Sequence, residues 1–198
     1  KYGGWRNKLG LPNPGLKEGL NRTSSTEILS IAELEKGDFQ TMTRLIPDYQ
    51  NLEVNLSCPN LGKSLSWEDA RLFNQYKTDA REWCIAKLSP LTKPEEIEFV
   101  VEGLGFTQLH FSNTLPTPKG GVSGGVLKDF TKSLIDVTKE KWGSRVTVIA
   151  GGGVADLGGV MEYLQCGADH ISIGSACFHP FKLRKLLKSI SQINEEEA

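Results

Sequence analysis

The chain has 198 residues, 38% of them hydrophobic and 24% charged, which suits a folded domain with a sizeable core and excludes a disordered chain. Its 23 Lys and Arg nearly cancel its 24 Asp and Glu, so no basic field recruits nucleic acid or an anionic surface. The longest apolar runs, such as residues 146–150, fall far short of the ~20 residues that span a bilayer, so no membrane span is expected. Cys58, Cys84, Cys166 and Cys177 form no CxxC pair, and His110, His170 and His179 have no metal-ligand spacing; the expectation is free thiols and no metal.

The opening KYGGWRNKLG is neither a signal peptide nor a transit sequence, and because it begins at Lys1 rather than Met, residues are expected upstream. From about residue 27, short apolar or β-branched runs alternate with longer amphipathic stretches, the pattern of repeated βα units around a parallel sheet. Strands are predicted at 27–32, 52–56, 83–88, 107–112, 146–151 and 170–174. Helical spacing is clearest at 95–103 and 157–166, and Gly167 stands where a helix-ending glycine belongs. The tail INEEEA at 193–198 reads as a frayed acidic end. Every polar or glycine-rich cluster follows the C-terminal end of a strand, where barrel enzymes build their sites. The fold class is therefore α/β, a (β/α)8 TIM barrel with about six of its eight βα units in a single domain over 1–198; a doubly wound open sheet is the competing arrangement.

In chain order, the first cluster is Asn7 to Gly15 (NKLGLPNPG), by itself a Gly/Pro-rich turn. Ser30 ends the first predicted strand. Next comes Asn55-Leu56-Ser57-Cys58-Pro59-Asn60, after a strand on which Glu53 is expected to point outward. Its two amides offer donors and acceptors matching the edge of a pyrimidine or flavin ring, and the Cys58 thiol suits a general base if its pKa is drawn toward neutrality. Lys87, near the end of an apolar strand, either snorkels to the rim or faces an anion in the barrel mouth. Ser112-Asn113-Thr114 ends the next strand and leads into a Pro-containing loop and the run GGVSGG at 120–125. Glycines at 151–153, and Gly174-Ser175 after the following strand, suit a phosphate held by backbone N–H groups and a hydroxyl.

NLSCPN resembles the signature of class 1 dihydroorotate dehydrogenases, and the likeness runs from Trp5 to about Leu187. The same hexamer occurs in the flavin barrel of dihydropyrimidine dehydrogenase, whereas the membrane-associated class 2 enzymes resemble it with serine at the base position. The resemblance implies an FMN-dependent, cytoplasmic enzyme of pyrimidine biosynthesis that oxidises dihydroorotate to orotate, with Cys58 as catalytic base. It implies substrate contacts from Asn7, Gly10, Leu11, Asn55, Asn60, Asn113 and Thr114. FMN contacts are implied at Ser30, Asn55, Lys87, Ser112, Gly124, Gly152, Gly153, Gly174 and Ser175, with Lys87 favouring the reduced ring. A homodimer, or an assembly with another subunit, is the expected organisation.

Two strands precede the Asn7 loop in that family and are not in this sequence; about 50 residues restore them, at the length of a barrel βα unit. The expectation is that this sequence is a fragment of a normal enzyme, that the two strands come from a second polypeptide, or that they are lost from a homologue that survives as a flavin-free structural subunit. A related flavin enzyme of uracil-like rings is a further alternative; the carboxylate-binding backbone at Gly10 and Leu11 leans toward dihydroorotate. The remaining suspects take plainer readings: Cys84, Cys166 and Cys177 as packing residues, His110 and His170 without carboxylate partners, and Lys128, Lys132 and Lys139 to Lys141 as a solvated helix face.

Overall fold

The computed structural model describes residues 4–7, 12–56 and 67–196. In chain order its elements are β1 (Gly4–Asn7), α1 (Leu16–Arg22), β2 (Leu29–Ile31), α2 (Asp38–Thr43), β3 (Leu52–Asn55), α3 (Trp67–Asn74), β4 (Cys84–Leu88), α4 (Pro94–Glu98), β5 (Gln108–Phe111), β6 (Leu115–Thr117), β7 (Gly120–Gly124), α5 (Lys128–Trp142), β8 (Thr147–Gly151), α6 (Leu157–Gln165), β9 (His170–Ser172) and α7 (Pro180–Glu196). All six predicted strands are present, trimmed by one to three residues. Three short strands, β1, β6 and β7, were not foreseen, and the acidic tail expected to fray continues α7 as far as Glu196.

The described residues fall into two compact units. The first draws on Leu9–Leu88 and Thr92–His110. Its strands lie in the order β2, β3, β4, β5, with β2 parallel to β3 and β3 parallel to β4, as the intervening helices require. Register pairs Ser30 with Glu53, Glu53 with Ile85, and Asn55 with Lys87. Because side chains alternate along a strand, Ser30, Glu53, Asn55, Lys87 and His110 share one face and Leu52, Val54 and Leu109 the other. Both faces are covered: Leu52 and Val54 are 0% exposed and Glu53 and Asn55 only 8%. The expectation that Glu53 points outward is therefore wrong. A central strand of a parallel sheet has no solvent face, so alternation of polar and apolar residues here marks two kinds of interior.

The opposite side of this unit is packed by rings. Phe39 and Phe73 meet edge-on at 5.4 Å between centroids, Phe73 and Phe106 lie 5.9 Å apart, and the Tyr76 hydroxyl donates to the Phe39 carbonyl at 2.5 Å. Buried Arg81 donates to the carbonyls of Gln50, Tyr76 and Pro47, tying three turns to one guanidinium. Helix α4 starts with Pro94 in its first turn, where the Glu96 carboxylate accepts the Lys93 N–H at 2.7 Å, and it loosens into a π-helical turn over Phe99–Gly103.

The second unit draws on Lys1–Lys8, Ser89–Leu91 and Phe111–Ala198. Strands β1, β7 and β6 make an antiparallel ribbon, and β8 pairs in parallel with β9. The glycine run at 120–124, expected as loop, is strand β7 at the centre of that ribbon. Glycine fits there because close neighbours leave no room for a side chain: a Cβ on Gly121 lies 2.5 Å from Thr114 Oγ1. Asp156 caps α6, its Oδ1 accepting the Gly159 N–H at 3.0 Å, and Gly167 follows the helix at φ 98°. The lysines of α5 are not a freely solvated face as expected. Lys139 donates to the Val146 carbonyl at 2.8 Å and to Asp169 at 2.6 Å, while Lys128 and Lys132 both reach Glu162. Cys84 and Cys166 are half-buried, but Cys177 is exposed rather than packed. No helix among the described residues is long and apolar enough to cross a membrane.

Candidate active site

In the first unit, the shared strand face converges on one carboxylate. Glu53 Oε1 accepts the Ser30 hydroxyl at 2.7 Å and the Lys87 ammonium at 3.1 Å, and Oε2 faces His110 Nδ1 at 2.5 Å. Four adjacent strands thus contribute one polar group each. Burial by itself pushes the Glu53 carboxyl upward, but the hydrogen bond from His110, the Lys87 charge and the Ser30 hydroxyl outweigh it and hold the group down at about 2. An ionised carboxylate only accepts, so His110 Nδ1 carries the hydrogen of that contact. His110 was expected to have no carboxylate partner; its partner is 57 positions away in sequence, and only strand order brings the two together. Lys87 pairs with the Glu53 carboxylate while its side chain stays 22% exposed.

A cavity of about 490 Å³ opens in this unit, within the size range of small-molecule sites. Its walls include Asn13 and Gly15 of the Pro-rich loop, Ser30 at the end of β2 and Asn55 at the end of β3. Two predicted site residues, Ser30 and Asn55, therefore line one space. Cys58, Asn60, Gly10 and Leu11 lie outside the described residues.

In the second unit, a further group of predicted residues gathers. Gly152, at φ 90°, is so close to Ser112 and Leu127 that a Cβ there lies 3.0 Å from Ser112 Oγ; one on Gly153, at φ 75°, lies 2.9 Å from the Gly124 carbonyl. Ser112, Gly124, Gly152 and Gly153 are thus neighbours. Two residues not foreseen lock them in place. The Thr131 hydroxyl sits 3.1 Å from both Ser112 Oγ and the Gly151 carbonyl, and the Tyr163 hydroxyl donates to the Gly152 carbonyl at 2.6 Å. Burial pushes the Tyr163 phenol up to about 12. No sequence signal marks either residue, because each belongs to a helix and acts on a distant loop.

Gly174 differs from Gly152 and Gly153, since a Cβ there meets nothing within 4 Å, and Ser175 opens a short helical turn over Ser175–Phe178. On the ribbon, Asn7 is paired with Gly121, the glycine against which Thr114 packs, so Asn7 and Thr114 flank one position; the Asn113 side chain accepts the Thr114 N–H at 2.8 Å. Among the described residues, no group of three or more His, Cys, Asp or Glu is placed to hold a metal ion.

Parallel strands alternating with helices, with polar residues and glycines at the strand ends, define an α/β protein of the (β/α)8 barrel class. Two solved structures of dihydroorotate dehydrogenase from Eimeria tenella agree at the level of fold. The one in complex with ferulenol has a TM-score of 0.64 at 19% identity, with 81% of this chain matched to 54% of that one. The ligand-free one has a TM-score of 0.65 at 16% identity, with 84% matched to 58%. The chain belongs to the dihydroorotate dehydrogenase family, a family of oxidoreductases, whose profile matches residues 2–193. Among its relatives is the dihydroorotate dehydrogenase B (NAD(+)) catalytic subunit of Endomicrobium trichonymphae, 27% identical over 96% of this chain and 72% of that protein. The protein of the same name from Exiguobacterium sibiricum is 29% identical over 98% of this chain and 72% of its own length. The chain spans little more than half the length of the solved structures it matches.

Proposed function

We propose that this chain takes part in the FMN-dependent oxidation of dihydroorotate to orotate, the reaction for which its family is named. The observation that carries the reading is the register of Asn55 with Lys87 on one face of the sheet: an amide and a cation stand side by side where a planar ring with an electron-rich edge is to be held. The residues fit FMN. Lys87 offers a positive charge, Asn55 offers both donors and an acceptor, and the open space at Gly174 beside Ser175 leaves phosphate oxygens room to approach backbone N–H groups. Ser30, Ser112, Gly124, Gly152 and Gly153 complete the set assigned to the cofactor.

When bound, FMN supplies a two-electron acceptor for the hydride that leaves C6 of dihydroorotate. The rest falls to this chain. Cys58 would take the C5 proton as a general base. Asn7, Asn55, Asn60, Asn113 and Thr114 orient the ring by hydrogen bonds, and the backbone at Gly10 and Leu11 holds the carboxylate. Such fixed orientation lowers the barrier by removing the search for a reactive alignment. In this reading the protein is cytoplasmic and works as a homodimer or with another subunit; the relatives' name "catalytic subunit" supports the second arrangement.

The test is direct. Purified protein loaded with FMN is mixed anaerobically with dihydroorotate, and bleaching of the flavin bands is followed. Cys58→Ala is expected to slow bleaching by roughly 10²–10⁴-fold, the contribution of a general base. Bleaching by dihydrouracil but not dihydroorotate assigns a different pyrimidine. A chain that takes up no FMN is a structural relative instead.

A further inference from the structure

Glu53 has no role in the reading above, yet three side chains converge on it. A buried carboxylate is costly unless every lone pair is used, and here three donors from three neighbouring strands meet it. The division of labour between its oxygens is informative. Oε2 is given to His110, which is 7% exposed and lies within the sheet, while Oε1 is shared by Ser30 and Lys87. His110 therefore fixes the carboxylate plane from one side, and the other oxygen restrains the ammonium. Lys87 is the outermost of the three, with 22% of its side chain exposed against 11% for Glu53 and 9% for His110. A purely structural ion pair gains nothing from leaving its cation at the open end of the row; a cation held there is available to a second anionic partner.

We propose that Glu53 is a positioning residue for Lys87: oriented by His110 and Ser30, it anchors the ammonium at the strand ends and offsets part of its charge, so that the lysine favours the reduced flavin less than a free cation would. The inference rests on the proposed FMN reading for its electrochemical consequence, but not for the anchoring itself. Two opposite charges within hydrogen-bond distance act on a third group as a dipole, which falls away with distance faster than the lysine charge alone. Removing the carboxylate charge therefore makes the bound flavin easier to reduce, and removing the ammonium makes it harder.

Two measurements on the full chain separate the anchoring from the flavin reading. The first is the midpoint potential of bound FMN in wild type, Glu53→Gln, Lys87→Met and the double variant. The expected result is a positive shift in E53Q and a negative shift in Lys87→Met, because the carboxylate and the ammonium act on the ring with opposite sign, with the double variant between the two. No shift or a negative shift in E53Q, or no shift in Lys87→Met, overturns the proposal. The second is amine acetylation of flavin-free protein, mapped by mass spectrometry, with thermal unfolding as a control for the fold. Lys87 is expected to label faster in E53Q and also in His110→Leu, which leaves the Glu53–Lys87 pair chemically intact and serves if E53Q does not fold. Unchanged labelling of Lys87 in a folded variant overturns the anchoring. A wild-type chain that binds no FMN defeats the flavin reading alone, and the labelling result then stands by itself.

Discussion

His110 Nδ1 lies 2.5 Å from Glu53 Oε2, joining β5 to β3 across the intervening strand β4, whose Lys87 reaches the other oxygen of the same carboxylate. The row of donors makes the charged form of Glu53 the folded form, and this has a pH signature. The folded carboxyl sits at about 2 against an ordinary 4.5, so folding favours the ionised group. The stabilisation is complete above pH 4.5 and is lost as pH falls from there through 2. A shift of that size corresponds to about 3 kcal/mol by linkage. Urea unfolding of wild type and E53Q is expected to differ most near pH 7, and the difference is expected to shrink across that acid window. A pH-independent difference contradicts the assignment.

Gly153 and Gly174 are expected to separate folding from binding. At Gly153, alanine meets a positive φ of 75° and a Cβ position 2.8 Å from Gly125 Cα, so Gly153→Ala is expected to lower stability by about 1–3 kcal/mol. At Gly174 the added methyl meets nothing within 4 Å. Gly174→Ala is expected to melt within a degree or two of wild type, about what a surface substitution costs, while weakening FMN uptake. Calorimetry read beside a fluorescence titration with FMN tests both halves.

Asp169 links Lys139, a half-buried helix residue, to the start of a buried strand. Its Oδ2 accepts Lys139 Nζ at 2.6 Å and the Val148 N–H at 2.7 Å. Asp169→Ala leaves the backbone donor unmatched, with an expected loss of about 1–3 kcal/mol. Lys139→Met, which leaves that donor satisfied, is expected to cost less. Chemical denaturation of the two variants gives the order directly, and a larger loss from the lysine change contradicts it.

The described cysteines are expected to react in a fixed order. Burial pushes the Cys84 thiol up to about 11, which leaves little thiolate at neutral pH, whereas Cys177 is exposed. Mass spectrometry after brief iodoacetamide treatment at pH 7.5 is expected to find Cys177 alkylated well before Cys84. Early labelling of Cys84 in folded protein indicates that β4 opens more readily than its packing implies.

The sequence by itself determined the order of strands and helices, because a period of two in short apolar runs and of three to four between them needs no partner to be read. Leu52 to Asn55 and Cys84 to Leu88 are strands for that local reason. Glycines and polar residues at strand ends were legible in the same way, since Gly152 and Gly153 do adopt conformations that other residues rarely reach. The antiparallel ribbon of β1, β7 and β6 was not legible, because three of the five residues of its central strand are glycine and its pairing joins Asn7 to Gly121, far along the chain. Nor were the roles of Glu53, His110, Thr131 and Tyr163. A lone Glu in a strand reads as a solvent-facing residue until the sheet is known to be covered on both faces, and a histidine reads as unpartnered until a residue 57 positions away is placed beside it. Periodicity is a property of neighbours in the chain, whereas the stability of a buried charge depends on neighbours in space, and those only the tertiary structure supplies.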